Sequence, residues 1–254
     1  MKPKIWIDSK QDELAFWEDW FATKSAQYPK DFERRMDPEV QMDSYIIELA
    51  KKINNEKILK ILDTGAGPAT CLGKVSKDFE IKLSAVDALG DLYSDLYVKY
   101  NIIPPIITEL CDSEELLNKF ELDSFDIVHN RNALDHSYNP IEGISQMLSI
   151  VRKGGAVILL HEENEGVNEG YWGMHQWNFT IKKKDFVIWN REGFSMNITK
   201  AFANSTDVDS SIIQMGPARL IQVIFYKKIY GPVKPGIISL LKTRVNNLTN
   251  KFKR

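Results

Sequence analysis

Between residues 58 and 160 the chain alternates short, unbroken apolar runs with helical stretches. The runs fall at 58–62, 83–86, 106–110, 125–128 and 156–160. A strand that is apolar on both faces must be covered on both, and a parallel sheet sandwiched between helices does this. The spacing therefore predicts a doubly wound α/β sheet. One helix is well punctuated. Asn139 can cap it, Pro140 fits its first turn, and Ile144, Met147, Leu148 and Val151 form its buried stripe. Arg152 and Lys153 suit the negative end of its dipole, and Gly154 is placed to stop it.

Three additions surround this rhythm. Residues 1–55 read as a helical lid broken at Pro29 and Pro38. It carries Leu14, Trp17, Trp20 and Phe21 on one apolar face, and a second helix over 41–53. Residues 162–203 are polar and aromatic and read as an insertion after the fifth strand, with a hairpin around Arg191-Glu192-Gly193. The runs 211–215 and 220–226, joined by Gly216-Pro217, predict a final antiparallel hairpin. Residues 56–230 then form the main domain and 231–254 a tail.

A length of 254 residues suits one large domain with such additions. With 33 Lys and Arg against 35 Asp and Glu, the formal charge is −2. That gives no overall attraction to nucleic acid. Cys71 and Cys111 stand alone, without the framework of an oxidised secreted scaffold, and the acidic N-terminus is unlike a signal peptide. The expected location is cytoplasmic.

The most informative segment is Ile61-Leu62-Asp63-Thr64-Gly65-Ala66-Gly67-Pro68-Ala69-Thr70. A buried strand runs into a glycine turn, and a helix is expected to start at Pro68. Gly65 permits the tight turn and Gly67 lets a ligand approach the backbone. A helix N-terminus would add free N–H groups and positive dipole. Dinucleotide fingerprints want Gly or Ala where Thr70 stands. They have no use for a carboxylate at Asp63, whereas a cationic methionine amino group does. Asp87, at the end of the second strand, can accept hydrogen bonds from both ribose hydroxyls.

Asp63-Thr64-Gly65-Ala66-Gly67 resembles the first motif of class I S-adenosylmethionine-dependent methyltransferases, and Asp87 resembles their ribose acid. Cys111-Asp112-Ser113-Glu114-Glu115-Leu116 is similar to the segment whose Asp receives the adenine amino group. Phe125-Asp126-Ile127-Val128-His129-Asn130 resembles their fourth strand, and Asp135-His136-Ser137-Tyr138-Asn139-Pro140 and Arg152-Lys153-Gly154-Gly155 continue the likeness. It implies a Rossmann-like sheet of seven strands with an antiparallel last strand. It also implies S-adenosylmethionine as cofactor, contacted by Asp63, Gly65, Ala66, Gly67, Asp87, Ala88, Asp112, Ser113 and Asn130. Ala69 replaces a third glycine often found in the loop, and Arg131 and Asn132 are unusual after the fourth strand.

Methyl transfer from a sulfonium needs donor and acceptor held in line. An oxygen acceptor must also lose a proton, which calls for a base near neutral pKa. All four histidines fall between residues 129 and 175. The resemblance puts His136 beside the transferable methyl, with Asp135 next to it. His161 is the second candidate base, oriented by Glu162 or Glu163. His129 lies in the buried register of a strand and reads as structural, while His175 reaches the acceptor from the insertion. His161, Glu162, Glu163 and Asp135 could form a magnesium site, but a solvated acidic loop is the favoured reading and no metal is expected. The run Tyr171-Trp172-Gly173-Met174-His175-Gln176-Trp177-Asn178-Phe179 is either core packing or a platform for a sugar or nucleotide. Arg34 and Arg35 either bind an anion, the acceptor or the methionine carboxylate, or pair with the acidic helix before them.

The ornamented N-terminus and aromatic insertion resemble methyltransferases of bacterial surface-polysaccharide clusters. That resemblance implies a hydroxyl of a sugar, nucleotide-sugar or phosphoramidate-type precursor as acceptor; for the assembly, monomer and homodimer both stay open. The alternatives are an N-methyltransferase of a small metabolite and a non-catalytic partner protein of the same fold. The tail holds Lys234, Lys242, Arg244, Lys251, Lys253 and Arg254 without an acid. Beside them Ile237, Leu241, Val245, Leu248 and Phe252 form a helical stripe. Docking of this stripe on the acidic body is favoured over weak contact with an anionic membrane.

Overall fold

The computed structural model describes residues 2–215 and 218–229. The apolar runs become strands β1 (Ile58–Thr64), β2 (Glu80–Asp87), β3 (Thr108–Leu110), β4 (Phe125–Arg131) and β5 (Val151–Glu162). All five are parallel. The insertion supplies β6 (Asn178–Lys182), β7 (Asp185–Trp189) and β8 (Ser195–Asn197), and the final hairpin is β9 (Thr206–Met215) with β10 (Ala218–Lys227). The main sheet has seven strands in the order β3-β2-β1-β4-β5-β10-β9, with β10 antiparallel to both of its neighbours. This is the doubly wound, Rossmann-like architecture expected from the sequence. Its order turns back at β1 and β4, and a crevice opens at such a switch point outside the strands' carboxyl ends.

Period-two alternation divides the core. Val157 and Leu159 of β5, with Val223 and Phe225 of β10, face one side. There they meet α6 (Pro140–Ile150) and the inner face of the insertion sheet, Phe179, Phe186 and Ile188. Ala156 and Ile158, with Leu59 and Ile61 of β1, face the other side and meet Ile46 and Leu49 of α4 (Ser44–Ile53). Over the carboxyl ends lie α1 (Lys4–Asp8), α2 (Lys10–Thr23) and α3 (Pro29–Met36), while α5 (Gly90–Tyr100) follows β2. Short helices α7 (Glu165–Asn168) and α8 (Ile198–Ala201) flank the insertion sheet. The aromatic face of α2 is buried as expected, Trp20 and Phe21 packing on Tyr93 and Tyr97 of α5.

Two local expectations are corrected. No helix starts at Pro68: residues 65–79 form turns and irregular chain. Their backbone groups are satisfied across the fold instead of along a helix. Lys74 N and Val75 N donate to Val40 O, Met42 N donates to Val75 O, and Leu72 N donates to Thr70 Oγ1. Gly73 lies so close to the 41–42 backbone that a Cβ would stand 2.1 Å from Gln41 O. Secondly, α6 is capped as predicted, Glu142 N donating to Asn139 Oδ1, but it ends at Ile150. Val151 already pairs with Phe125, so Arg152, Lys153 and Gly154 belong to β5. Gly154 takes φ +75° at an irregularity in the β4–β5 register, and Arg152 donates to Asp126 and to Ile53 O. The hairpin around Arg191-Glu192-Gly193 joins β7 to β8, but its third strand β6 was not foreseen. The Gly216-Pro217 turn and the basic tail stripe lie outside the described residues.

Phe225 ties the insertion to the main sheet. Its fully buried ring meets Phe186 and Phe202 edge-on, at centroid distances of 6.3 and 6.4 Å. Phe225→Ala is expected to lower unfolding stability by about 3–5 kcal/mol, read from urea unfolding. A midpoint unchanged from the parent would mean that the two sheets do not share this core.

Candidate active site

The glycine loop closes tightly because Gly65 and Gly67 adopt φ of +69° and +64°, where side chains are strained. At Gly65 a Cβ would also strike Ala133. Below the loop, Asp63 is 2% exposed. Thr70 Oγ1 donates to its Oδ2 at 2.6 Å, and His129 Nδ1 lies 2.8 Å from its Oδ1. The far nitrogen of His129 contacts the Tyr45 hydroxyl at 3.0 Å. His129 is thus a buried connector between β4, β1 and α4.

Asp87 receives Gly67 N at 3.0 Å, Leu89 N at 2.9 Å and the Tyr93 hydroxyl at 3.1 Å. Burial pushes its carboxyl above the ordinary range, against the pull of those donors. It lines a narrow cleft of about 70 Å³ together with Gly65, Gly67, Ala88, Ser113 and His136. Asp63 and Ala66 border instead an adjoining basin of about 1030 Å³. Gly65, Gly67 and His136 border both spaces. Asn130 lies behind the wall, fully buried, with its amide donating to Thr64 O. Asp112 is 4% exposed and ion-paired with Lys2.

The N-terminal helices crowd the cleft. Trp17 lies over Gly67, where a Cβ would meet its ring at 2.6 Å. Trp6 donates its indole N–H to His136 O, and Lys10 reaches Ala88 O. A nucleoside on Asp87 would have to share or displace this cover. Arg35 donates to Ala66 O and Ala69 O and pairs with Asp31, and Arg34 pairs with Asp43. Both arginines therefore brace the loop.

Asp135, His136 and His175 converge at the junction of cleft and basin. His136 Nε2 and His175 Nδ1 are 3.0 Å apart, and Asp135 Oδ2 stands 3.4 Å and 3.0 Å from them. Burial alone would raise the Asp135 carboxyl, but the imidazoles outweigh it and hold it at about 2. His136 moves the other way: burial works against its charge, and Asp135 and Glu13 more than compensate, so it is raised. His161 is 1% exposed, with neither ring nitrogen hydrogen-bonded, and burial pushes it down to about 4. Glu163 pairs with Arg219 and accepts from Thr180, so it does not orient His161 as an acid–base partner. The expected grouping of His161, Glu162, Glu163 and Asp135 gives way to one in which His175 joins Asp135 and His136. Of the aromatic run, Met174 and Phe179 are core, Trp177 donates to Ser137 O, and Trp172 is exposed.

Trp6, Glu13, Glu114 and Met174 also line the cleft; Trp6 and Glu13 were not singled out from the sequence, and Glu114 and Met174 only as members of longer segments. Glu114 accepts Asn139 N at 2.8 Å, and burial raises its carboxyl to about 8. A carboxyl raised above its unfolded value makes its full contribution to stability below about pH 4.5 and loses it as pH rises through about 8. Glu114→Gln is expected to flatten the fall in unfolding free energy between pH 5 and 8, measured by urea unfolding at each pH. A slope identical to the parent's would show that Glu114 titrates normally.

No family model and no curated protein matches the sequence. The fold recurs among solved structures. A chain of the complex between the Haloferax volcanii Trm112 methyltransferase activator and a methyltransferase superposes with a TM-score of 0.53 at 14% identity, over 83% of this chain and 97% of that one. The CurJ carbon methyltransferase superposes with a TM-score of 0.50 at 16% identity, over 72% of this chain. The match spans 52%, about half, of the CurJ chain. The chain thus has the α/β fold seen in class I S-adenosylmethionine-dependent methyltransferases.

Proposed function

We propose that the protein is an S-adenosylmethionine-dependent methyltransferase that methylates a hydroxyl of a small molecule. The observation that carries this reading is the placement of an imidazole–carboxylate cluster, Asp135, His136 and His175, at the rim of the cleft bordered by Asp87 and the glycine loop. Asp87 would hold the ribose, and the Gly65–Gly67 turn would let the methionine portion approach the backbone. Asp63, Ala66, Ala88 and Ser113 complete the cofactor surface. Asp112 would receive the adenine amino group once Lys2 leaves it, and Asn130 would hold the loop from behind. The sulfonium supplies the methyl group, and the chain's own task is to align the acceptor and remove its proton. His136, raised by Asp135, is the base; the buried, neutral His161 backs it without touching the acceptor.

A sugar or nucleotide-sugar hydroxyl is the acceptor class favoured here. A basin of about 1030 Å³ is large enough for one, and its lining mixes the apolar faces of Phe16, Trp17 and Tyr28 with Arg131, Glu162 and Glu165. The surface-polysaccharide setting rests on the sequence resemblance. Residues 1–55 serve as lid, 56–230 as the catalytic body and 231–254 as a basic appendage. Among the described residues no helix is long and apolar enough to cross a membrane.

Two substitutions separate the roles. Asp87→Ala is expected to weaken S-adenosylmethionine binding by about 1.5–3 kcal/mol, the scale for hydrogen bonds to a charged group, in calorimetric titration. His136→Ala is expected to reduce turnover by about 10²–10⁴ with cofactor affinity preserved. Turnover is followed by mass spectrometry as the gain of one methylene by candidate sugar and nucleotide-sugar acceptors. If the cofactor binds but only amine acceptors gain mass, the reaction is N-methylation. An unchanged rate in His136→Ala would remove its role as base.

A further inference from the structure

We propose that Asp135, His136 and His175 form a binding site for one divalent first-row transition ion, of which Zn²⁺ is the representative. Three lone-pair atoms, His136 Nε2, His175 Nδ1 and Asp135 Oδ2, form a triangle with sides of 3.0, 3.0 and 3.4 Å. Ligands held at about 2.1 Å from one ion are about 3.0 Å apart when octahedral neighbours and about 3.4 Å apart when tetrahedral. The triangle therefore already has the dimensions of a three-ligand face. An ion at that bond length would stand about 1 Å out of its plane, leaving further positions for water or an acceptor oxygen. Without an ion, the two imidazoles are joined by one N–H···N contact of 3.0 Å, and His175 Nδ1 lies 3.0 Å from Asp135 Oδ2.

The surroundings favour a cation. Glu13, Glu162, Glu165 and Glu169 line the same basin as the two imidazoles, and a buried Glu165 oxygen has no hydrogen-bond partner. Glu13 stands 3.8 Å from the outer nitrogen of His136, on the side where a carboxylate commonly orients a metal-bound imidazole. His161, buried and without a partner, lies close enough for the charges of Asp135 and His136 to act on it. Two imidazoles and one carboxylate are a donor set for transition ions; magnesium prefers oxygen alone. This differs from the magnesium grouping considered from the sequence, which lacked both His136 and His175.

The ion's part in catalysis, binding the acceptor oxygen and easing its deprotonation, rests on the function proposed above and would make His136 a ligand instead of the base. Its binding does not rest on that function. The test is titration of the full chain, treated with chelator and dialysed, with Co²⁺ followed by visible absorption, and then with Zn²⁺ by calorimetry. One equivalent of Co²⁺ should give d–d bands of a low-symmetry nitrogen–oxygen site, displaced stoichiometrically by Zn²⁺ and not by Mg²⁺. Asp135→Asn and His175→Ala should each weaken Zn²⁺ binding at least tenfold, with circular dichroism reporting their folding. Absence of d–d bands in the unaltered chain would overturn the proposal, as would equal Zn²⁺ affinity in either folded variant. S-adenosylmethionine binding, measured on the same metal-free sample, reports separately on the methyltransferase reading.

Discussion

Asp63 sits in the dry carboxyl end of the central strand, and a carboxylate there costs several kcal/mol unless its oxygens are held. Thr70 holds one and His129 the other, and His129 is steadied by Tyr45. The glycine loop, strand β4 and helix α4 are thereby fixed to one group. Drawing Thr70 down to Asp63 curls the chain after Gly67 back beneath itself. The following residues then find backbone partners on Val40 and Met42. A helix could not leave the loop at Pro68 and also satisfy that contact. The cleft consequently relies on Asp87 and on a strained turn whose N–H groups are held by Val86 O and Asp87, and not on a helix dipole.

The same arrangement places the chemistry. β4 carries His129 inward, and the turn that follows carries Asp135 and His136 to the edge of the cleft. The insertion after β5 returns over this edge and delivers His175. Its own small sheet is held by Phe179 and Phe186 in the common core, so the loop bearing His175 is anchored on rigid structure. From the opposite side the N-terminal helices set Trp6, Glu13 and Trp17 against the same space. The cleft and the adjoining basin are therefore walled by segments more than a hundred residues apart in sequence.

Much of the scaffold was legible in the chain. Five apolar runs identified the parallel strands, Asn139-Pro140 marked the start of α6, and Asp87 and the glycines fell where a switch-point cleft requires them. Local pattern failed where a distant partner decided the outcome. The loop after Gly67 has helix-compatible residues, but Asp63 and Val40 claim its polar groups. Arg152 and Lys153 suit a helix terminus, yet Asp126 draws Arg152 into a strand. The pairing of His136 with His175 crosses 39 positions and leaves no periodic signal. Trp6 and Glu13 belong to helices expected as a lid, but no pattern in the sequence marks these two side chains as the ones that meet the cleft.

The central claim is that this cleft recognises an S-adenosyl nucleoside through Asp87 and the turn at Gly65 and Gly67. Isothermal titration of the full chain with S-adenosylhomocysteine and, in parallel, with NAD tests it most directly. The account predicts one-to-one micromolar binding of S-adenosylhomocysteine and no measurable heat with NAD. Micromolar binding of NAD without binding of S-adenosylhomocysteine would contradict it.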